Sequence, residues 1–204
     1  VIQKRVSANM FDTGRKLSDQ EIRELVEAAT HAPSSFNIQH WRFVAVTDQA
    51  AKERLKALAW GQPKVADAAV TFIVLGDLLG YKKLASIVKK SVDAGIVPAA
   101  MADGWVPMAE NAYSSNPQLA RDEAIRSGAM AAMVLMLAAA DRGLVSGPMI
   151  GFDPEGVKKE FAISERYVPV MLLPVGYERD GNWTRKPRLT VDEVLAMGTG
   201  KGLE

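Results

Sequence analysis

The stretch HAPSSFNIQHWRFV, His31 to Val44, sets two hydroxyls (Ser34, Ser35) and two amides (Asn37, Gln39) between a predicted helix end and a predicted strand. Pro33 supplies the break, and Phe36 and Trp41 supply apolar surface on either side. None of the four polar side chains carries a charge, so together they suit a flat, uncharged heterocycle that needs neutral donors and acceptors. A polar connection whose Ser and Asn satisfy their own backbone explains the same residues. The rest of the chain decides between the two.

Working outward from this loop, helix and strand signals alternate. Ser18 and Glu21 form a capping box before an amphipathic helix that is expected to run to about Ala32, with Ile22, Leu25, Val26 and Ala29 as its buried stripe. Arg42 to Val46 reads as a strand, and Asp48 caps a helix reaching about Ala59. Gly61 and Pro63 punctuate a turn containing Gln62 and Lys64, followed by the apolar strand Val70 to Leu75. Leu78 to Val92 is predicted helical. Gly95 to Gln118, with Pro98, Pro107 and Pro117, is expected to be an irregular helical excursion that partly covers a pocket.

Asn116-Pro117 caps the longest helix, which Arg142 and Gly143 end; at 1.5 Å per residue it would span roughly 39 Å. Its middle, AMAAMVLMLAAA (residues 129–140), is apolar all round and therefore demands burial on every side. The interior of a monomer or a second copy of the chain could provide that, and a second copy is the expectation. Gly147 to Gly151 is a tight turn that exposes backbone, Asp153-Pro154 starts a short helix to Phe161, and Tyr167 to Gly176 is a strand expected to be buried on both faces. Its prolines, Pro169 and Pro174, put it near a sheet edge or at strand ends. A polar tail leads through Lys186-Pro187-Arg188 to a last helical turn at Val191 to Met197. Residues 198–202, GTGKG, lack the strand and helix of a phosphate loop and are set aside.

Composition narrows the chemistry. The 204 residues suit one domain, a net charge of +1 gives no reason to expect nucleic acid or an anionic membrane, and no signal peptide is apparent. The longest uncharged run, Ser127 to Ala140, is expected to be too short for a membrane span. There is no cysteine, which fits a reducing cytoplasm and removes thiol catalysis and thiolate metal sites; with only two histidines, a multi-histidine zinc site is not expected either. No dinucleotide-binding, P-loop, nucleophile-elbow or metalloprotease motif occurs. What remains for an enzyme is a bound cofactor that carries the reaction. Near the N-terminus, Arg5 and Ser7 pair a forked cation with a hydroxyl, the equipment for a phosphate, or else they are a stray surface pair.

In order along nearly the whole chain, Arg5-Val6-Ser7, Pro33 to Trp41, GQPKVADA (residues 61–68), the long apolar helix, Gly147 to Asp153, SERYVPVML (residues 164–172) and Lys186 to Arg188 resemble the nitroreductase family of FMN-dependent oxidoreductases. The resemblance implies an α+β fold with a central, mostly antiparallel sheet flanked by helices, the long apolar helix lying at the interface of an intertwined homodimer. All 204 residues would form one FMN-binding domain, with 95–118 as a lid excursion and 177–204 as a C-terminal extension. Two FMN molecules would lie between the subunits. Arg5, Val6, Ser7 and Asn9 would meet the phosphate or ribityl chain, helped by Lys186 and Arg188. Pro33, Ser34, Ser35 and Asn37 would come from the partner. Gln62 and Lys64 would approach the pyrimidine edge, and the backbone of Pro148, Met149, Ile150 and Gly151 would lie over the ring.

Four positions depart from the family's habit: Asn9 where a base is common, Gly61 for asparagine, Ile150 for an acid found in some members, and His40 for proline. The implied reaction is ping-pong: NADH or NADPH gives a hydride to the flavin, and a nitroaromatic or quinone then accepts on the same ring face. The flavin carries this chemistry, so no protein acid, base or metal is required; Lys64 would tune it electrostatically, and Trp105 or Met108 would shape the slot for flat acceptors. A specialised flavin dehydrogenase or dehalogenase-like member, or a flavin-binding interaction protein without turnover, are the alternatives.

Overall fold

Helix α6 (Pro117–Asp141) lies against the sheet so closely that a side chain would not fit between them. The computed structural model describes residues 1–200; the end of the glycine-rich GTGKG stretch lies outside the described residues. The remaining helices are α1 (Asp19–Ala29), α2 (Gln49–Leu58), α3 (Lys64–Asp67), α4 (Leu84–Asp93), α5 (Ala99–Ser114), α7 (Pro154–Glu160) and α8 (Val191–Val194). Strands β1 (Trp41–Val46), β2 (Val70–Asp77), β3 (Val145–Ser146) and β4 (Tyr167–Gly176) form one sheet in the order β1-β2-β4-β3, with every neighbouring pair antiparallel.

The alternation of side chains along β2 and β4 divides the interior into two layers. Phe72, Val74, Leu173 and Val175 face α1 and α6, where they meet Ile22, Leu25 and Leu135. Ile73, Leu75 and Leu172 face the opposite way, onto Leu55, Val65, Phe152 and Val157 from α2, α3 and the segment through α7. A third apolar cluster joins Ile38 to Leu84 and Val88 of α4 and to Ala109 and Tyr113 of α5.

Local signals explain the helix starts. Ser18 and Glu21 form the expected capping box; Asp48 Oδ1 accepts from the Ala51 amide at 2.8 Å, and Asn116 Oδ1 from the Leu119 amide at 3.0 Å. Three expectations need correction. Gly95 to Gln118 is not irregular: α5 runs through Pro107, because that proline sits on the exposed side while Ala102, Trp105, Val106, Ala109 and Tyr113 hold a helical stripe against the third cluster. Strand β4 is interior to the sheet, yet only its second half is buried, since two-residue β3 covers only its last residues. Pro169 falls at a bulge opposite Val74 and Leu75, and the Pro174 carbonyl accepts from the Gly147 amide (2.9 Å), so its missing donor lies on the short outer side of the strand. Finally, α6 is long and apolar enough to cross a membrane, but half of its most apolar stretch is buried inside the fold. One side remains open, and Met133 is exposed.

Strand β2 and helix α6 meet in close contact. A Cβ on Gly76 would stand 2.5 Å from the Ala124 carbonyl oxygen, and one on Gly128 would stand 2.9 Å from Val170 Cγ2. A backbone carbonyl cannot swing aside as a side-chain tip can. The Gly76→Ala change should therefore cost about 3 kcal/mol, the upper end of overpacking, and lower the thermal midpoint by roughly 6–12 °C in a calorimetric scan. An unchanged midpoint would contradict this helix–strand contact.

Candidate functional site

The N-terminal segment reaches the open side of the sheet through a parallel bridge between Ser7 and Ser146, with the Ala8 amide donating to the Ser146 carbonyl at 2.9 Å. This places Arg5, Ser7 and Asn9 next to β3 and the turn that follows it. The tail after β4 closes over the same segment. Asn182 Oδ1 accepts from the amides of Asn9 (2.7 Å) and Met10 (2.9 Å), and Arg185 donates to the carbonyls of Gln3 and Arg5. Between the two segments lies a cavity of about 220 Å3, lined by Arg5, Val6, Ser7, Asn9, Lys64, Lys186 and Arg188 together with Trp183, Thr184 and Arg185.

Seven residues singled out from the sequence thus converge on one cavity. Its charge is one-sided: five cations line it and no carboxylate does. Arg5 Nη1 is buried without a hydrogen-bond partner, and burial, then Arg185 and Arg188, push the Arg5 guanidinium below its usual pKa. A buried donor left unpaired costs about 1–3 kcal/mol, more when charged, so the arrangement is unfavourable until an anion enters. Burial likewise lowers the pKa of Lys64, whose Nζ lies 3.3 Å from Asn9 Oδ1. Asn9, standing where a base is common in the resembling family, here steers a lysine into the cavity. Lys186 lies over the Trp183 ring, its Nζ 4.8 Å from the centroid, and Arg188 donates to the Lys186 carbonyl at 2.8 Å.

Gln62 and the turn after β3 form the adjoining wall. Gln62 Nε2 donates to the Gly151 carbonyl (3.3 Å), the Trp60 ring covers Gly151 closely enough that a Cβ there would be 2.8 Å from it, and Ile150 stands exposed. Lys64 lies within this wall as well, its Cδ 3.5 Å from where a Cβ of Gly147 would be. Met149 is held differently from its neighbours. Its amide and carbonyl both pair with Leu172 at 2.9 Å and its side chain is buried in the second apolar layer, so Pro148, Ile150 and Gly151 are left to offer surface.

Pro33, Ser34, Ser35 and Asn37 do not reach this cavity within one chain. They sit beside α5 and α6, where Ser35 Oγ accepts from Tyr113 Oη (2.9 Å) and the Ser35 amide donates to Glu123 Oε1 (3.3 Å). Phe36, Asn37 and Gln39 all hold positive φ, at 51°, 54° and 59°. Such residues cost about 1–3 kcal/mol each and persist only where their surroundings over-determine them. Ser34 Oγ accepts from the Gln39 amide at 2.9 Å, so part of the loop does satisfy its own backbone. His40 is fully buried, with Nδ1 2.8 Å from the Asp77 carbonyl, and burial lowers its pKa.

Three contributors escaped the sequence reading. Arg185 and Asn182 act by clasping the N-terminal carbonyls and amides across more than 170 residues, which no local pattern reveals, although the cation-rich run 179–188 hinted at it. Glu123 looks like a charge near a helix start; it is instead buried, holding Ser35, Ser127 and Arg126.

The cation cradle predicts a response to simple anions. Inorganic phosphate at about ten times its dissociation constant should raise the thermal midpoint of ligand-free protein by roughly 3–6 °C, while chloride at matched ionic strength should not. Arg5→Ala should abolish the phosphate shift; a variant that keeps it would take Arg5 out of the cradle.

The Nitroreductase family profile matches residues 2–177. Bacillus subtilis MhqN, named for an NAD(P)H nitroreductase activity, is 36% identical over 92% of this chain and 91% of its own length. The crystal structure of B. subtilis ydfN, titled as a nitroreductase, superposes with a TM-score of 0.90 at 36% identity, covering 96% of this chain and 95% of that one. An Exiguobacterium sibiricum protein, titled as a nitroreductase in complex with FMN, gives 0.88 at 30% identity, covering 96% and 94%. With the profile spanning most of the sequence and these relatives covering nearly all of it, the chain belongs to the Nitroreductase family.

Proposed function

We propose that this chain is an FMN-dependent oxidoreductase that takes reducing equivalents from NADH or NADPH and passes them to nitroaromatics or quinones in ping-pong order. The observation that carries this reading is the cradle around Arg5: a partnerless buried guanidinium nitrogen among cations, with no carboxylate in the lining, is suited to a phosphate monoester. The FMN-bound relative supports the same choice.

FMN bound here would supply hydride and electron transfer, for which the protein needs no nucleophile or metal of its own. Arg5, Arg188 and Ser7 would hold the phosphate end, with Lys186 beside them. Gln62, Lys64 and the outward-facing Pro148, Ile150 and Gly151 would meet the ring. The Lys64 ammonium, which Asn9 holds in place, then favours negative charge arriving nearby, because a preorganised cation needs no reorganisation when that charge appears.

A cavity of about 220 Å3 encloses only part of such a ligand, since sites for molecules of that size run to about 300–1,000 Å3. A second copy would supply the missing wall through Pro33, Ser34, Ser35 and Asn37. The exposed apolar residues of the tail, Leu189, Val191, Val194, Leu195 and Met197, and the open side of α6 suit burial in a homodimer. Helix α5, with Trp105 packed edge-on against Phe36 at 6.2 Å, would serve as the lid beside the loop.

The purified protein should be yellow, bleach when titrated with NADH or NADPH without oxygen, and recover its colour with menadione or nitrofurazone. Sedimentation should give a dimer. Protein that takes up no FMN would overturn the reading, and bleaching without recovery by either acceptor would favour a specialised dehydrogenase. Lys64→Met should make the flavin midpoint potential more negative by about 30–60 mV, the worth of one charge-assisted hydrogen bond in a two-electron couple. An unchanged potential with FMN still bound would remove Lys64 from this role.

A further inference from the structure

We infer that Tyr113 and Glu123 are positioning residues that hold the Ser34–Gln39 loop in its left-handed conformation and so fix the wall it gives to the FMN site; this rests on the loop's place in the function proposed above. Two helices grip one serine. From α5, the Tyr113 hydroxyl donates to Ser35 Oγ at 2.9 Å; from α6, Glu123 Oε1 accepts the Ser35 amide at 3.3 Å. Both gripping residues are buried, with relative exposures of 6% each. Glu123 is itself fixed, since Ser127 Oγ donates to the same oxygen at 2.9 Å and Arg126 binds the other.

The loop needs such a grip. Positive φ at Phe36, Asn37 and Gln39 places three side-chain-bearing residues of one short loop in a region that ordinary residues avoid. Its internal bonds, from the Asn37 amide to the Ser34 carbonyl (3.0 Å) and from the Ile38 amide to the Ser35 carbonyl (3.0 Å), each end on one of the two serines. Fixing Ser35 from outside therefore fixes the turn that follows. The grip also ties the loop to α5, so that the lid helix and the flavin wall move as one piece. Nothing in this arrangement requires Tyr113 or Glu123 to touch the flavin.

Tyr113→Phe and Glu123→Gln are compared with Tyr81→Phe, whose ring lies 5.8 Å from that of Tyr113 and serves as the packing control. Amide exchange is read in flavin-free protein, and FMN dissociation and visible circular dichroism in the reconstituted enzyme. Each test variant should speed exchange at Asn37, Ile38 and Gln39 and weaken FMN binding by about 5–10-fold, the worth of one hydrogen bond, with an altered flavin dichroism band. Because both act through Ser35, the double variant should lose little more than the worse single. The control should match wild type.

Unchanged exchange and FMN affinity would overturn the inference, as would fully additive losses. A fall in thermal midpoint of the flavin-free protein that accounts for the lost affinity would also overturn it, reducing both residues to packing. Faster exchange with unchanged FMN affinity would take the loop out of the flavin site and overturn it too. Wild-type protein that takes up no FMN would overturn the proposed function instead, and the exchange comparison distinguishes that result, because the loop would still loosen with no flavin to lose.

Discussion

The contact of α6 with the central strand at Gly76 and Ala124 fixes the positions of almost everything else. It is a contact of backbone on backbone, so the helix has one height above the sheet and little freedom to tilt. From that height, the N-terminal half of α6 delivers Glu123 to the Ser35 loop, and its C-terminal end feeds Gly143, β3 and the Gly147–Gly151 turn. The two ends of one helix therefore lead to the two separate groups of candidate residues. A shift in its packing would displace both.

Charge distribution gives the second constraint. Most lysines and arginines of the chain either face water or have partners: Lys158 meets Glu155 and Glu165, and Arg166 forms a bidentate pair with buried Asp77. The cluster of Arg5, Arg185 and Arg188 has no such balance among the described residues. The protein holds these like charges together by spending Arg185 on backbone carbonyls and Asn182 on backbone amides. Tail and N-terminus are thereby stapled at the point where their charges repel, an arrangement that makes physical sense when a multiply charged anion completes it.

The parts of this fold that sequence made legible are those governed by local rules. The capping box at Ser18, the Asn116-Pro117 helix start and the alternation in β2 follow from backbone chemistry within a few residues. In α5 the helical character is legible but its regularity is not, because three prolines around it mask a stripe at 102, 105, 106, 109 and 113 that exposed Pro107 leaves intact. Arg5 and Ser7 are legible from their chemistry as equipment for a phosphate, whereas Lys64 and Arg188 take their places only from the family resemblance, and the convergence of all four depends on the Ser7–Ser146 bridge and the Asn182 staple. Pairings of this kind between distant segments leave no periodic trace. Met149 shows the reverse case: its place in the Gly147–Gly151 turn is plain in the sequence, while its pairing with Leu172, a long-range contact, is not.

The two groups of candidate residues, one around Arg5 and one around Ser35, do not share a cavity within one chain, and each is built at a cost. The first crowds cations around a half-buried arginine with one enclosed nitrogen; the second keeps three residues at positive φ. Strain and unpaired charge of this sort are seldom retained without use, and here they occur at the residues that the sequence pattern singled out. A pair of chains related by a two-fold axis could bring the Arg5 cradle of one against the Ser35 loop of the other twice over, since such an interface repeats each contact. The side of α6 that the fold leaves open, with exposed Met133, is the apolar surface such a pair would share.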